Sequence, residues 1–520
     1  MPTVIREPEV SIAIISSDSL VGNKPQKILA VGQKTAAGTA VAGSLVTNIQ
    51  NDRSVINGLF GANSQIAGII RNARRYNTKT RIDAIAVDDN GSGVAAVGNF
   101  TLAGTATEAG SLDFIVGSKR DYTFSVPVAN GDTAAAIATA AAALINAASS
   151  ELPVTMSAPG GGVLAATADN KGTVGNSIGL KVEGSVAGIA VTVNAMSGGS
   201  TDPVLTSLFD AIADERYQTI LFPWTTDAAI DIVKDFLDGR FNVSNMVLDG
   251  VAMLGIDDTF SNHIARADAL NSQSLCIVGD KYINDADQKG GAILEIPYAK
   301  AAQIGGIRAL RLTDDAPIGR FVISRAASLD RFGGMALASL PYFNTPVPEL
   351  PLPEFADGWT MDEQEDLKAS GVSVYGANIS GSEVILGEFV TTYKTDPASN
   401  EDVTFKYLNY VDTSSAIREY FFNNYKATFA QCRLTAGALI PGRAMANPAS
   451  IEAASSRFYK ALADLALVES GESAAQFFKR NLVITLDLAA GSVSLSMVTP
   501  IVTQFRQLLA TIQIAFSAEG

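Results

Sequence analysis

From Leu482 onward every second position is a large aliphatic residue: Leu482, Ile484, Leu486 and Leu488, with Val483, Thr485 and Asp487 between them. After the turn Ala490-Gly491-Ser492 a second run places Val493, Leu495 and Met497 on the same period. Two period-two runs across a short glycine-containing connection predict a β-hairpin. Beyond Pro500 the chain carries Phe505, Leu508, Leu509, Ile512, Ile514 and Phe516, a tail apolar enough to need covering. The other end has the same character, with Val4-Ile5 and then Val10, Ile12 and Ile14, broken by Pro2 and Pro8. Two readings follow. Both terminal strands complete a sheet of their own chain, or both are arms that add strands to a neighbouring copy.

Between the ends the pattern alternates between two periods. Lys27 to Val31 reads as a buried strand, and Asn63-Ser64 opens a helix with Ile66, Ile69, Ile70 and Ala73 on one side and Arg71, Arg74 and Arg75 on the rest, a solvated or subunit-facing cluster. Ile82, Ile85 and Val87 give the next strand. From about Gly93 to Ser200 the composition shifts to Gly, Ala, Thr and Val, with short alternating runs and one helix, Ala134 to Ala148, capped by Asn130-Gly131-Asp132-Thr133. Thereafter strand and helix patterns alternate: Tyr217–Phe222, Asp227–Leu237, Asn245–Leu254, Asp257–Leu270 and Ser274–Val278. That alternation argues for a layered α/β sheet.

Pro346, Pro348, Pro351 and Pro353 mark an extended connector and a boundary. Past it come a capping box at Thr360-Met361-Asp362-Glu363, strands at Val372–Val374 and Glu383–Lys394, and two apolar-striped helices, Ser415–Gln431 and Ala449–Val468. The predicted fold is α/β, or α+β multidomain. An extended arm spans 1–20, an α/β middle domain 21–92 and 201–345, an inserted mainly β domain 93–200, a C-terminal α+β domain 346–500, and a second arm 501–520.

Composition narrows the function. A chain of 520 residues exceeds one core, and 47% hydrophobic with 18% charged residues is a folded composition. A net charge of −15 argues against a nucleic-acid groove, which needs clustered Lys and Arg. The start lacks the basic, apolar and small-residue succession of a secretory signal, and no run is long and greasy enough to span a bilayer. Cys276 and Cys432 sit in apolar contexts, as reduced core thiols do.

Catalytic patterns are missing. His263 is the only histidine, which removes His-dependent triads and His-rich metal sites, and its helix context predicts a surface or boundary position. Neither G-x-G-x-x-G nor G-x-x-x-x-G-K-[ST] occurs, and Pro159-Gly160-Gly161-Gly162 reads as a loop. No G-x-S-x-G, C-x-x-C or EF-hand loop is present. The acidic groups Asp88-Asp89, Asp257-Asp258, Asp314-Asp315 and Asp362 to Asp366 fit loops and first helical turns. No cofactor, metal or catalytic residue is expected.

The run Glu383-Val384-Ile385-Leu386-Gly387-Glu388-Phe389-Val390-Thr391-Thr392-Tyr393, followed by Tyr407-Leu408-Asn409, resembles a pattern of contractile-phage tail sheath proteins of the Mu-like kind. Gln26-Lys27-Ile28-Leu29, Leu59-Phe60-Gly61, Asn130-Gly131-Asp132-Thr133, Lys171-Gly172-Thr173-Val174-Gly175-Asn176 and Leu350-Pro351-Leu352-Pro353 agree in order along the chain. Asn409 departs from the commoner Asp, as does the Gly387-Glu388 neighbourhood from the usual Arg. The resemblance implies a structural protein and no enzyme. It implies stacked hexameric rings around a tail tube that contract to drive the tube through a host envelope, with tube, baseplate and tail terminator proteins as partners. The place implied is the virion tail, assembled in the host cytoplasm. It favours arms that pair with neighbouring copies; if the bodies they link reorient on contraction, hinges are expected beside the arms, near Ser16–Gly22 and Ser496–Thr503. It places the C-terminal domain innermost, which makes Arg457, Lys460 and Asp464 tube-contact candidates. A sheath from a phage-derived injection particle, or an α/β enzyme with an unrecognised site, are the alternatives.

Overall fold

A computed structural model describes residues 26–212, 215–241, 248–314, 345–347, 349–377, 381 and 384–502. By contacts the described residues before 424 form one unit and those from 424 onward a second. The first unit opens with β1 (Lys27–Gln33), β2 (Leu45–Val46), α1 (Arg53–Phe60), α2 (Gln65–Tyr76) and β3 (Arg81–Val87). β4 (Ala95–Gly104), β5 (Gly110–Val116), β6 (Thr123–Val128), α3 (Ala134–Ala148), β7 (Val154–Gly160), β8 (Val163–Lys171), β9 (Leu180–Glu183) and β10 (Ile189–Ser197) follow. Next come β11 (Thr219–Leu221), α4 (Asp227–Asp238), β12 (Val251–Asp258), α5 (Phe260–Leu270), β13 (Leu275–Asn284), β14 (Gln288–Gly291) and α6 (Pro297–Asp314). The unit closes with α7 (Met361–Ser370), β15 (Val372–Ser373), β16 (Tyr375–Ala377), β17 (Val384–Leu386) and the first part of α8 (Leu408–Phe429).

Its main sheet runs β2-β3-β1-β11-β12-β13-β14-β9-β5-β6, with β15 also paired to β13. The centre is parallel from β3 through β13, and the β14, β9, β5, β6 end is antiparallel. A central parallel strand is buried on both faces. In β1, Ile28 and Ala30 face the cluster holding α1, α2 and α6, while Leu29 and Val31 face the one holding α4 and α5. Residues 95–197 carry a further core, in which a second sheet, β10-β4-β8-β7, and α3 pack with β5, β6 and β9 around Phe100, Phe114, Val126, Ile137 and Leu164. The alanines of α3 let it approach closely: Ala138, Ala141 and Ala142 are all buried.

Val347, Leu350, Val384 and Leu386 share a core with Ile28 and Ile66. Leu386 N donates to Thr345 O at 2.9 Å and Val347 N to Val384 O at 2.8 Å, so the connector is bound to β17.

Several polar expectations change. His263 is buried, not on the surface: it lies against Trp359, with Nε2 3.0 Å from Asp280 O, and burial lowers its pKa and keeps it neutral. Arg74 is also buried, donating to Ile49 O at 2.6 Å and Thr80 O at 2.7 Å, so it is no part of a solvated cluster. Asp257 lies within β12, which runs to Asp258, rather than opening a helix, because the helix starts later, at Phe260 behind the Thr259 cap. Its carboxylate and that of Asp280 grip Lys300 Nζ at 2.6 and 2.7 Å, all three buried. Burial pushes the Asp257 carboxyl up despite Lys300. Cys276 is a buried thiol, pushed up to about 12 by burial, whereas Cys432 is half-exposed rather than in a core.

Candidate assembly surface

From residue 424 the chain completes α8 and adds β18 (Arg433–Leu434), β19 (Met445–Ala446), α9 (Pro448–Asp464), α10 (Glu472–Arg480), β20 (Val483–Asp487) and β21 (Ser492–Ser496). Asn447 caps α9, its side chain accepting from Ser450 N at 2.9 Å while Ser450 Oγ accepts from Asn447 N at 2.9 Å. Pro448 sits at the first helical position, where its missing N–H costs nothing. The apolar stripe of α9 buries Ile451, Phe458 and Leu462. Tyr425 packs edge-on against Phe458 at 5.3 Å, and Tyr459 stacks on Phe478 of α10 at 4.5 Å. These aromatic contacts join α9 to the end of α8 and to α10.

β20 and β21 form the predicted hairpin. Ile484 faces Leu495 and Leu486 faces Val493, so the aliphatic residues share one face as cross-strand pairs. Asp487 Oδ1 accepts from Ala490 N at 2.9 Å, and Gly491 takes φ +64°, where a side chain would be strained. Leu482, Ile484, Leu486, Val493 and Leu495 are half-buried. The hairpin is a sheet of two strands, and among the described residues neither outer edge has a partner. After it, Ile501 bridges to Val468, Glu469 N donates to Pro500 O at 2.8 Å and Val502 N to Leu467 O at 3.3 Å. The segment expected to hinge, Ser496–Thr503, is thus tied at Ile501.

The arm residues Val4, Ile5, Val10, Ile12, Ile14, Phe505, Leu508, Ile512, Ile514 and Phe516 lie outside the described residues, as does the Ser16–Gly22 hinge. Arg457, Lys460 and Asp464 are exposed along α9, away from its buried stripe, with the Arg457 guanidinium 5.3 Å from the Phe458 ring. The structure therefore puts the three candidates on one helix. The sequence reading missed α10, whose signals are Glu472 in its first turn, Lys479 and Arg480 in its last, and Phe478 fully buried.

The Thr-Thr-Tyr stretch acts as a staple within the first unit. Thr392 Oγ1 accepts from Ser272 N at 2.9 Å and donates to Ser272 O at 3.0 Å. Thr391 Oγ1 donates to Phe405 O at 2.7 Å, and Tyr393 Oη to Asp402 Oδ2 at 2.6 Å. The first part of α8 is fixed by ion pairs to residues just before β11 and β12. Buried Asp249 is bonded by Ser415 and Arg418, and Arg216 Nη1 reaches Glu419 at 2.7 Å. Burial would raise the Asp249 carboxyl, but Arg216 and Arg418 outweigh it and hold it below the usual range. Among the described residues no group of acidic, His or Cys side chains could hold a metal, and no helix is long and apolar enough to cross a membrane.

In chain order a mixed α/β body is followed by a two-stranded hairpin. No family model matches the chain. The Mu-like prophage FluMu tail sheath protein of Haemophilus influenzae is 24% identical over 457 residues, 86% of this chain and 85% of that one. The chain is a homologue of tail sheath proteins of the Mu-like kind. Among solved structures it is similar to the sheath tail protein Lin1278 from Listeria innocua, with a TM-score of 0.44 and 12% identity over 93% of both chains. The contracted helical sheath of the anti-feeding prophage gives 0.43 and 9%, over 98% of this chain and 99% of that one.

Proposed function

We propose that the chain is the structural subunit of a contractile phage tail sheath. Copies form hexameric rings stacked helically around a tail tube, and the stack shortens to drive the tube through the host envelope for genome ejection. The observation that carries this reading is the similarity to a tail sheath protein across 86% of the chain. The hairpin with two unpartnered edges supports it, since such an edge is a template for an added strand. In this reading the terminal arms supply that strand from neighbouring copies, residues 93–200 face outward, and residues 346–500 face the tube. Arg457, Lys460 and Asp464 touch the tube, while baseplate and terminator proteins close the two ends. The protein is a virion component assembled in the host cytoplasm, and its role is mechanical rather than catalytic.

Negative-stain electron microscopy of the purified protein across a concentration series tests this. Hollow striated tubes or stacked rings are expected, alone or on added tail tubes. Removing residues 1–15 should leave monomers or small rings; long normal tubes from that variant would refute the arm exchange. Uniform small particles at every concentration, with and without tail tubes, would refute the sheath reading.

A further inference from the structure

Beside α2 lies a cleft of about 390 Å³, bounded by α1, the start of α6, the 117–122 loop and the connector at Glu349. It belongs to the first unit throughout and contains none of the residues given a role in assembly above. Its floor is Gly68. A Cβ built on Gly68 would lie 3.7 Å from Tyr298 Oη and 4.0 Å from Arg71 Nη2, so a hydroxyl and a guanidinium nitrogen flank one bare Cα.

Both groups have hydrogen bonds to give. Tyr298 is only 7% exposed, and among the described residues its hydroxyl has no hydrogen-bond partner. The ring is buried while its Oη is not sealed in, so the hydroxyl can donate into the cleft. Arg71 uses Nη1 for Asn57 Oδ1 at 2.7 Å and Ala62 O at 2.9 Å and turns Nε toward Glu151 at 3.4 Å, which leaves Nη2 without a hydrogen bond. The first turn of the 18-residue α6, with Tyr298 and Ala299, opens on the same space.

Charge agrees. Five arginines, 53, 71, 74, 75 and 120, line the cleft against four carboxylates, Asp121, Glu151, Glu295 and Glu349. Glu151 is held by Arg53 and Asn57, Asp121 by Arg75, and Glu349 by Arg75 and Arg120. Glu295 accepts from Ser118 Oγ at 3.0 Å, and burial pushes it up to about 7, so near neutrality it opposes an anion with less than a full charge.

We propose that this cleft binds a small oxyanion, a carboxylate or a phosphate, seated over Gly68 with Arg71 Nη2 and Tyr298 Oη donating to it. Its source is either a free anion or an acidic side chain of a second copy; the chemistry is the same.

Two variants test the seat without disturbing Arg71, which also braces Glu151. Gly68→Ala puts a methyl on the floor at 3.4 Å from Tyr298 Cε2, an ordinary contact, in a helix where Ala is the better former. Tyr298→Phe removes one donor. The full-length protein is titrated with inorganic phosphate and with acetate by calorimetry and thermal unfolding, at ionic strength matched with chloride. The wild type should bind and gain in unfolding midpoint, and each variant should bind roughly tenfold or more weakly. The anion-free midpoint of Gly68→Ala should be no lower than that of the wild type. A wild type that responds no more to phosphate or acetate than to chloride overturns the proposal. So do two variants that respond like the wild type. Assembly of Gly68→Ala then identifies the source: failure to form tubes marks a neighbouring carboxylate, normal tubes a free anion, and either leaves the cleft an oxyanion site.

Discussion

Thr392→Val isolates what the Thr-Thr-Tyr stretch does. Valine has the shape of threonine, and Thr392 is fully buried, so packing is nearly conserved while one hydroxyl is lost. That hydroxyl accepts from Ser272 N and donates to Ser272 O, bonding both main-chain groups of one residue 120 positions away. Ser272 is itself buried, so both groups lose their partner with no water to replace it. Each orphaned group costs about 1–3 kcal/mol, which sets the loss from the two at about 2–6 kcal/mol. Thr392→Ser keeps the hydroxyl and should cost only about 1 kcal/mol for the missing methyl. Chemical unfolding of unassembled protein measures the loss, and hydrogen exchange at the Ser272 amide localises it. A change below about 0.5 kcal/mol in Thr392→Val, the level of an ordinary surface substitution, would refute the staple. Defective tubes with unchanged stability would instead assign the threonine to contact between copies.

Lys300→Met should destabilise the first unit by about 3–5 kcal/mol, because it leaves Asp257 and Asp280 buried without their cation; adding Asp257→Asn should recover part of the loss in denaturant titrations. Glu295 has a folded pKa of about 7, raised by burial from 4.5, so the folded chain holds its proton more tightly. Its favourable contribution is complete below pH 4.5 and is lost as pH rises through 7. Glu295→Gln should therefore gain on the wild type by up to about 3 kcal/mol from pH 4 to above 8, and a constant difference would count against the buried acid. Lys460→Glu should weaken co-sedimentation with tail tubes and leave the stability of the isolated chain within about 0.5 kcal/mol, since Lys460 is exposed; unchanged co-sedimentation removes α9 as the tube contact.

Elements with strong periodicity were legible in the sequence. Ile66, Ile69, Ile70 and Ala73 are all buried on α2, the Thr360–Glu363 capping box is formed, and the hairpin pairs its aliphatic residues as their period requires. Side chains that bond backward to the main chain misled. Ser415 read as the helix start, yet α8 begins at Leu408: Thr413 Oγ1 bonds Asn409 O one turn back inside the helix, and Ser415 reaches Asp249. The alternation through Glu383–Lys394 predicted one long strand, but only Val384–Leu386 is one; the following residues are fixed by the Thr391 and Thr392 hydroxyls instead. Buried charges were illegible for a simpler reason. Lys300 meets Asp257 and Asp280 from 43 and 20 positions away, and no local pattern encodes such a meeting. The oxyanion cleft is of this kind too, since Gly68 and Arg71 share a helix but Tyr298 arrives from another.

The hairpin gives the physical reason for expecting assembly at the end of the chain. A two-stranded sheet is marginal in water, and its stability comes from whatever covers its apolar face and its edges. Here Leu482, Ile484, Leu486, Val493 and Leu495 remain half-buried, and Val483, Leu488 and Val498 are exposed by half or more of their surface, or close to it. Soluble proteins usually blunt such edges with charge, proline or a bulge. Along the two strands only Asp487 is charged, and it is engaged by the turn. The edge is left receptive, while the chain carries two further strand-like segments at its ends, one with Val10, Ile12 and Ile14 and the other with Ile512, Ile514 and Phe516. A net charge of −15 works against bringing copies together, so the pairing that overcomes it has to be short-ranged and directional, which is what main-chain hydrogen bonding at a sheet edge provides. In the arm exchange proposed above, the array keeps its links while the bodies between them turn, because the proposed joint is a strand in a sheet and not a rigid face.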